Sequence, residues 1–229
     1  MPIKYENIMP WGRSYIEYIR MLNLTDKDLC RKILACGDGP ASFNARMKKI
    51  GYKVTSLDPI YQFTKEQIDN RIQEVYDDVI NQTKNNKEKF IWNSIHSIEE
   101  LGSIRMSAMK EFIDDYNSGK TEGRYISGEL PVLPFENKSF DLILCAHFLF
   151  FYSDNLSLDF HINSVREMCR IGKEIRIFPI VDLNGNSSPY LKPAKDFMTS
   201  IGWSVEEVKV SYEFQKNGNT MLKLIEQKI

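Results

Sequence analysis

The segment from Ile33 to Asp58 constrains the fold of this chain more than any other part of its sequence. It reads as an apolar run, a Gly-Asp-Gly-Pro turn, a helical stretch, a glycine, and a second apolar run that ends at Asp58. Glycines let the backbone approach a ligand, a helix start presents free N–H groups, and a carboxylate after the next strand can bind ribose hydroxyls. The unit is therefore typical of an α/β domain that binds a nucleotide-type cofactor.

The rest of the chain continues to alternate strand and helix patterns, which predicts a mostly parallel sheet covered on both faces. Two apolar runs near the end, at 205–214 and 221–225, flank Asn217-Gly218, a pair that favours a β-hairpin. We therefore expect a doubly wound α/β sheet of seven strands with a C-terminal antiparallel hairpin. The other predicted strands cover residues 33–36, 54–57, 124–127, 140–147 and 174–180.

A long segment between the second and third predicted strands departs from this alternation. Residues 62–120 contain two helical patterns, opened by capping residues at Thr64 and Ser97. A crossover between parallel strands needs only one helix. We interpret residues 62–120 as a two-helix insertion within one domain that spans 1–229. It serves either as additional core or as a lid over the substrate.

Composition narrows the class of partner. Of 229 residues, 42% are hydrophobic and 27% are charged, and the net charge of −1 gives no general attraction to nucleic acid or anionic membranes. No apolar run reaches membrane-spanning length. The three histidines and four cysteines show no metal-ligand spacing, so free thiols in the cytoplasm are expected. We expect a small-molecule partner and no bound metal.

Four landmarks of the chain are the turn at 36–40, Leu57-Asp58, the segment 128–135 with Ser139-Phe140-Asp141, and the terminal hairpin. Together they resemble the class I, or Rossmann-like, methyltransferases that depend on S-adenosyl-L-methionine (SAM). The N-terminal Trp11-Gly12-Arg13-Ser14 run, the fuller turn at 37–44 and Asp58-Pro59-Ile60-Tyr61 are similar to a little-characterised bacterial subgroup of these proteins.

The resemblance implies SAM as cofactor and S-adenosyl-L-homocysteine as product. It implies that the glycine turn lies under the methionine end of SAM and that Asp58 accepts hydrogen bonds from the ribose. It also implies that Glu129 accepts from the adenine amino group and that the residues after the fourth strand lie near the reactive methyl. The implied cofactor residues are Gly37, Asp38, Gly39, Asp58, Pro59, Glu129, Leu130, Ala146 and His147. The chain departs from the family at Ala35, often acidic, and at Ala41, often glycine.

Methyl transfer from a sulfonium is a direct displacement that requires alignment and exclusion of water. An acceptor that starts protonated can also need a general base, and His147 is the candidate because it ends a strand that points at the cleft. The alternative is that His147 only packs locally. Tyr152 is expected to line the acceptor pocket. Arg13 is expected to pair with the methionine carboxylate, or else to serve only as a surface residue at a helix start.

The leading hypothesis is a SAM-dependent methyltransferase that acts on a small molecule. One alternative is a non-catalytic protein of the same fold that binds SAM or a partner. A further alternative is an NAD-dependent oxidoreductase, because Asp58 follows the glycine turn at about the dinucleotide spacing. Against that alternative, the turn reads Gly-x-Gly-x-x-Ser and does not end in glycine.

Overall fold

The computed structural model of the chain describes residues 2–227 and is organised around a seven-stranded sheet. The strand order is β3-β2-β1-β4-β5-β7-β6. Strands β1 to β5 are parallel to one another, whereas β7 runs antiparallel to both β5 and β6. The predicted fold class is confirmed. The strands are β1 Ile33–Cys36, β2 Val54–Leu57, β3 Tyr125–Ile126, β4 Leu142–Ala146, β5 Glu174–Phe178, β6 Trp203–Lys209 and β7 Thr220–Glu226.

Helices cover both faces of this sheet because its central strands are apolar on both sides. In β1, Ile33 and Ala35 belong to the core that contains α1 and α3, while Leu34 and Cys36 belong to the core that contains α6 and α7. The helices in the described part of the chain are α1 Tyr15–Met21, α2 Asp26–Leu29, α3 Phe43–Lys49, α4 Lys65–Asn85, α5 Ile98–Thr121, α6 Leu158–Ile171 and α7 Leu191–Ser200.

The two helices of the segment 62–120 are α4 and α5, and they differ in their relation to the sheet. Helix α5 packs against α3 and β3, and the rings of its Phe112 and Tyr116 contact those of Tyr61 and Tyr125 at tilted or edge-on angles. Helix α4 packs against α5. Helix α5 therefore belongs to the layer that covers the β3 end of the sheet, and α4 forms a second layer outside it.

The terminal hairpin differs from the predicted tight turn at Asn217-Gly218. The register pairs Lys209 with Thr220, so residues 210–219 form a long loop and the predicted strand over 205–214 ends early. Asn217 does adopt a positive φ of 68°, as its turn signal indicates. The strand stops because Tyr212 leaves the ladder and its ring packs edge-on against Phe178 in the core.

Asn44, on α3, is a buried polar contact between this helix and two strands. Its Nδ2 lies 3.1 Å from the Val54 carbonyl and 2.9 Å from Ser56 Oγ, and its Oδ1 accepts from Arg124 at 2.7 Å.

We expect Asn44→Ala to lower the free energy of unfolding by about 2 to 3 kcal/mol, because buried groups lose their partners. Urea unfolding measures this. Lys48→Ala, an exposed change on the same helix, is expected to cost less than about 1 kcal/mol. Equal effects would contradict the role of Asn44.

Candidate functional site

A cleft of about 350 Å³ lies at the carboxyl ends of β1, β2 and β4, where sheets of this kind bind ligands. Its volume falls within the range of small-molecule sites. All the cofactor residues expected from the sequence line this one cleft, and Tyr152 joins them. The set comprises Arg13, Gly37, Asp38, Gly39, Asp58, Pro59, Glu129, Leu130, Ala146 and His147.

Asp58 connects the turn after β1 to the segment after β2. One carboxylate oxygen accepts from the N–H of Gly39 and the other from the N–H of Ile60, both at 2.9 Å. Burial raises the pKa of Asp58 to about 6, although both hydrogen bonds act to lower it. Each carboxylate oxygen can accept a second hydrogen bond. The half-buried Asp58 therefore retains acceptor capacity at the cleft, as a ribose-binding carboxylate requires.

Asp38 lies in the turn itself, but its side chain points into the protein. The hydroxyls of Tyr18 and Ser56 both donate to it, and burial raises its pKa to about 6. The carboxyl group therefore holds the turn against α1 and β2. The Asp38 side chain is thus occupied within the protein, and only the backbone of Asp38 is left to contact a ligand.

The two glycines of the turn have different surroundings. Both have positive φ, 61° for Gly37 and 53° for Gly39. A Cβ at Gly39 would meet no atom within 4 Å, so open space lies beside it, whereas a Cβ at Gly37 would lie 2.7 Å from the ring of Phe148. Gly37 thus permits close approach of an aromatic side chain of the protein, whereas the space beside Gly39 is open.

The Trp11-Gly12-Arg13 segment packs directly against this turn. A Cβ at Gly12 would overlap the carbonyl oxygen of Pro40 at 2.1 Å, so only glycine permits the contact. The Arg13 carbonyl accepts from Ser42 N–H at 3.1 Å, and its guanidinium donates to the Trp11 carbonyl at 2.6 Å. Arg13 Nε is buried and has no partner within residues 2–227. The segment thereby positions a guanidinium at the wall of the cleft.

A second cavity of about 90 Å³ adjoins the cleft and was not predicted from the sequence. The two share Met9, Trp11, Arg13, His147 and Tyr152 as lining residues, so they meet at these side chains. The additional walls come from α4, α5 and the loop at 210–219, through Val79, Leu101, Arg105 and Phe214 among others. Because the residues that form it are distant in sequence, no local pattern indicates this cavity.

His147 stands where the two cavities meet. It has a positive φ of 51°, and its N–H donates to the Phe178 carbonyl at 2.6 Å, which fixes the backbone just after β4. Its Nδ1 is buried with no partner in the described chain. Burial, and then the charges of Arg13 and Arg105, lower the pKa of His147 well below its ordinary value of 6.5. The ring is therefore neutral near pH 7 and can accept a proton or donate one hydrogen bond.

Tyr152 also lines both cavities. Its hydroxyl oxygen accepts from the N–H of Met9 at 3.2 Å. Burial raises the pKa of Tyr152, so the phenol stays protonated and its O–H can donate to a ligand. Tyr152 is thus suited to binding and unsuited to acting as a base.

Arg105 and Glu17 form a buried ion pair behind the second cavity. Arg105, 1% exposed on α5, donates to Glu17 of α1 at 2.5 Å, and the Tyr212 hydroxyl donates to the other oxygen at 2.9 Å. The same carboxylate accepts from the N–H of Ser14 at 2.8 Å. Burial acts to raise the pKa of Glu17, but the arginine charges and these hydrogen bonds outweigh it and lower the pKa to about 2.

Arg105 is a functional candidate that sequence reasoning missed, although it left a signal. It lies four residues from Leu101 and four from Met109, on the buried stripe of α5. A charged residue within an apolar stripe needs a buried partner or a ligand.

Within the described residues, no group of three or more histidine, cysteine or acidic side chains is arranged to hold a metal ion. Nor does any described helix combine the length and apolarity needed to cross a membrane.

An uncharacterised protein of Methanocaldococcus jannaschii is 36% identical to this chain over 213 residues, which cover 92% of this chain and 93% of that protein. No protein-family model matches the chain.

Two solved structures that are similar to this chain are methyltransferases. The magnesium protoporphyrin IX methyltransferase of Synechocystis, with bound SAM, has a TM-score of 0.46 at 9% identity, and the match covers 88% of this chain and 73% of that one. A TehB-like SAM-dependent methyltransferase of Corynebacterium glutamicum has a TM-score of 0.45 at 14% identity, and the match covers 87% of this chain and 81% of that one. The activities in these names are those of the two proteins.

The buried Glu17 carboxylate makes stability depend on pH. Its folded pKa of about 2 lies below the ordinary 4.5, so it contributes stability above pH 4.5 that is lost as the pH falls toward 2. We expect Glu17→Gln to be less stable than the parent at pH 7 by on the order of 3 kcal/mol. The difference should shrink between pH 4.5 and 2, as measured by urea unfolding. A difference that is constant with pH, or an equal loss in the exposed Glu88→Gln control, would rule out this linkage.

Proposed function

We propose that this chain, which belongs to the same family as the Methanocaldococcus jannaschii protein, is a SAM-dependent methyltransferase with a small-molecule acceptor. The observation that carries the proposal is the position of Asp58. Its carboxylate lines the cleft, supports the glycine turn through Gly39 and retains acceptor capacity for a ribose. The bacterial subgroup and the cytoplasmic location stay predictions.

The cleft fits SAM in size and in its polar groups. Open space beside Gly39 leaves room for the ligand close to the turn. Asp58, with Pro59 after it, would hold the ribose, and Glu129 and Leu130 would contact the adenine. Arg13, whose Nε has no partner among residues 2–227, would pair with the methionine carboxylate. Ala146 and His147, directly after β4, would border the sulfonium.

Bound SAM supplies an electrophilic methyl group on a positively charged sulfur. The acceptor atom forms its bond to this methyl as the S–CH₃ bond breaks, and the electron pair of that bond stays on sulfur. The protein aligns the acceptor and excludes water. The aromatic residues Trp11, Phe151 and Tyr152, which line the second cavity, would form an apolar wall that helps to exclude water during this step.

His147 would receive the acceptor's proton when the acceptor is protonated. Its Nδ1 is unpartnered in the described structure, and the depressed pKa keeps the ring neutral. The same depression makes it a weak base. His147 is therefore suited to take a proton from an acceptor group whose pKa falls as its bond to the methyl group forms.

The sheet order argues against the NAD-dependent alternative. Dinucleotide-binding domains use six parallel strands in the order 3-2-1-4-5-6. Here the antiparallel β7 lies between β5 and β6. The non-catalytic alternative predicts SAM binding without methyl transfer. An assay of tritiated methyl transfer from SAM distinguishes it from the enzyme.

We expect Asp58→Asn to weaken SAM binding by about 1 to 3 kcal/mol, because an amide supplies one acceptor atom where the carboxylate supplies two. Calorimetry measures the affinity. Binding to the parent protein should also weaken as the pH falls below about 6, the pKa of Asp58, while the variant should lose this dependence.

The exposed change Asp69→Asn on α4 is the matched control and should leave SAM affinity unchanged. Unaltered binding in Asp58→Asn, or tighter binding of NAD than of SAM, would refute the cofactor assignment.

We expect His147→Asn to lower the rate of methyl transfer by about 100-fold or more while changing SAM affinity little, because it removes the base and keeps a residue that tolerates positive φ. The assay follows tritiated methyl from SAM into a fractionated extract of small metabolites. His96→Asn, an exposed histidine change, is the control. Equal rates in both variants would eliminate His147 as the base, and no transfer by the parent protein would favour the non-catalytic alternative.

A further inference from the structure

We propose that the second cavity binds the methyl acceptor and that this acceptor is a small carboxylate with an apolar, preferably aromatic, body. The role as acceptor rests on the proposed function, whereas the carboxylate site itself does not. The inference depends on the charges, the unpartnered donors and the walls of the cavity.

The charged residues at the cavity have one sign. Arg13 and Arg105 line it, and no acidic residue is present among its described lining residues. Glu17 neutralises Arg105 from behind but does not line the cavity. Glu17 also lies close enough to Arg13 for each charge to shift the pKa of the other. A ligand in this cavity therefore faces guanidinium groups and no lining carboxylate, which favours an anion and opposes an amine.

Arginine N–H donors also lack acceptors there. Arg105 Nε and Arg13 Nε are both buried with no partner among residues 2–227. The proposed function assigns Arg13 to the methionine carboxylate, which leaves Arg105 Nε as the donor for a ligand in the second cavity. Each buried unpaired group of this kind costs about 1 to 3 kcal/mol. A carboxylate supplies acceptor sites on two oxygens, and arginine binds such groups with directional, charge-assisted hydrogen bonds.

The remaining walls select the body of the ligand. Phe90, Phe151 and Phe214 contribute aromatic rings, and Leu101 and Leu183 contribute aliphatic side chains. The volume of about 90 Å³ suits a compact molecule. Apolar walls around a few placed polar groups are typical of small-molecule sites.

The two ends of the cavity define an orientation. Arg105 lines only the second cavity, whereas His147 and Tyr152 border both. A carboxylate at Arg105 therefore directs the opposite end of the acceptor toward the cleft. That end would carry the atom that takes the methyl group, with its proton passing to His147 or to water.

The test uses three probes of matched size: phenylacetate, 2-phenylethanol and 2-phenylethylamine. Binding of each to the full chain is measured by calorimetry with and without saturating S-adenosylhomocysteine. We expect phenylacetate to bind about tenfold or more tighter than the alcohol, and the amine to bind weakest. Equal or tighter binding of the alcohol or the amine, or no phenylacetate binding at millimolar concentration, would overturn the proposal.

Arg105→Lys keeps a positive charge beside Glu17 but removes the Nε donor, so it is expected to weaken phenylacetate binding about tenfold. The matched control is Arg46→Lys, an exposed arginine that pairs with Glu111 on the same helix α5. Thermal unfolding of both variants checks the fold. The double variant Glu17→Gln/Arg105→Met removes the ion pair as a unit and should abolish the preference for phenylacetate over the alcohol. Unchanged selectivity in both Arg105 variants would refute the site.

S-adenosylhomocysteine affinity, measured in parallel, separates the two proposals. If phenylacetate binds selectively but S-adenosylhomocysteine does not bind, the carboxylate site stands and the proposed function fails. If S-adenosylhomocysteine binds but phenylacetate does not, the proposed function stands and the carboxylate site fails.

Discussion

One buried carboxylate, that of Glu17, organises the half of the molecule that surrounds the second cavity. It joins the start of α1, the middle of α5 and the loop before β7 through Ser14, Arg105 and Tyr212. Removing either member of a buried ion pair is costly because the other charge is left uncompensated. Arg105 is consequently held in one position at the cavity wall, with its charge partly balanced and one donor still available.

The cleft depends on two further carboxylates that perform different tasks. Asp38 points inward and ties the glycine turn to α1 and β2, while Asp58 faces the cleft and ties the same turn to the next loop. Burial raises the pKa of both toward 6. The turn is thus held from both sides before any ligand arrives, and such preorganisation reduces the cost of binding.

The parts of the structure that local patterns determine could be predicted from the sequence. The glycine turn, Asp58 and the parallel strands follow from apolar runs and turn residues, and the cofactor residues implied by the resemblance do line one cleft. Contacts between distant segments could not be read in this way. The sequence did not reveal that Phe148 fills the space beside Gly37, or that Tyr212 leaves its strand. Arg105 shows the same limit, since its partners lie on α1 and in the loop before β7.

The walls of the two cavities have different origins along the chain. The cleft is built mainly from loops that follow strands of one sheet, so neighbouring β-α units suffice to shape it. The second cavity is lined by Tyr5, Val79, Arg105 and Phe214 among others, from segments separated by more than two hundred positions. Substitutions in the segments that line only the second cavity can alter that cavity without changing the cleft. Under the proposed function, a lineage could therefore change its acceptor repeatedly while it keeps the same binding site for the methyl donor.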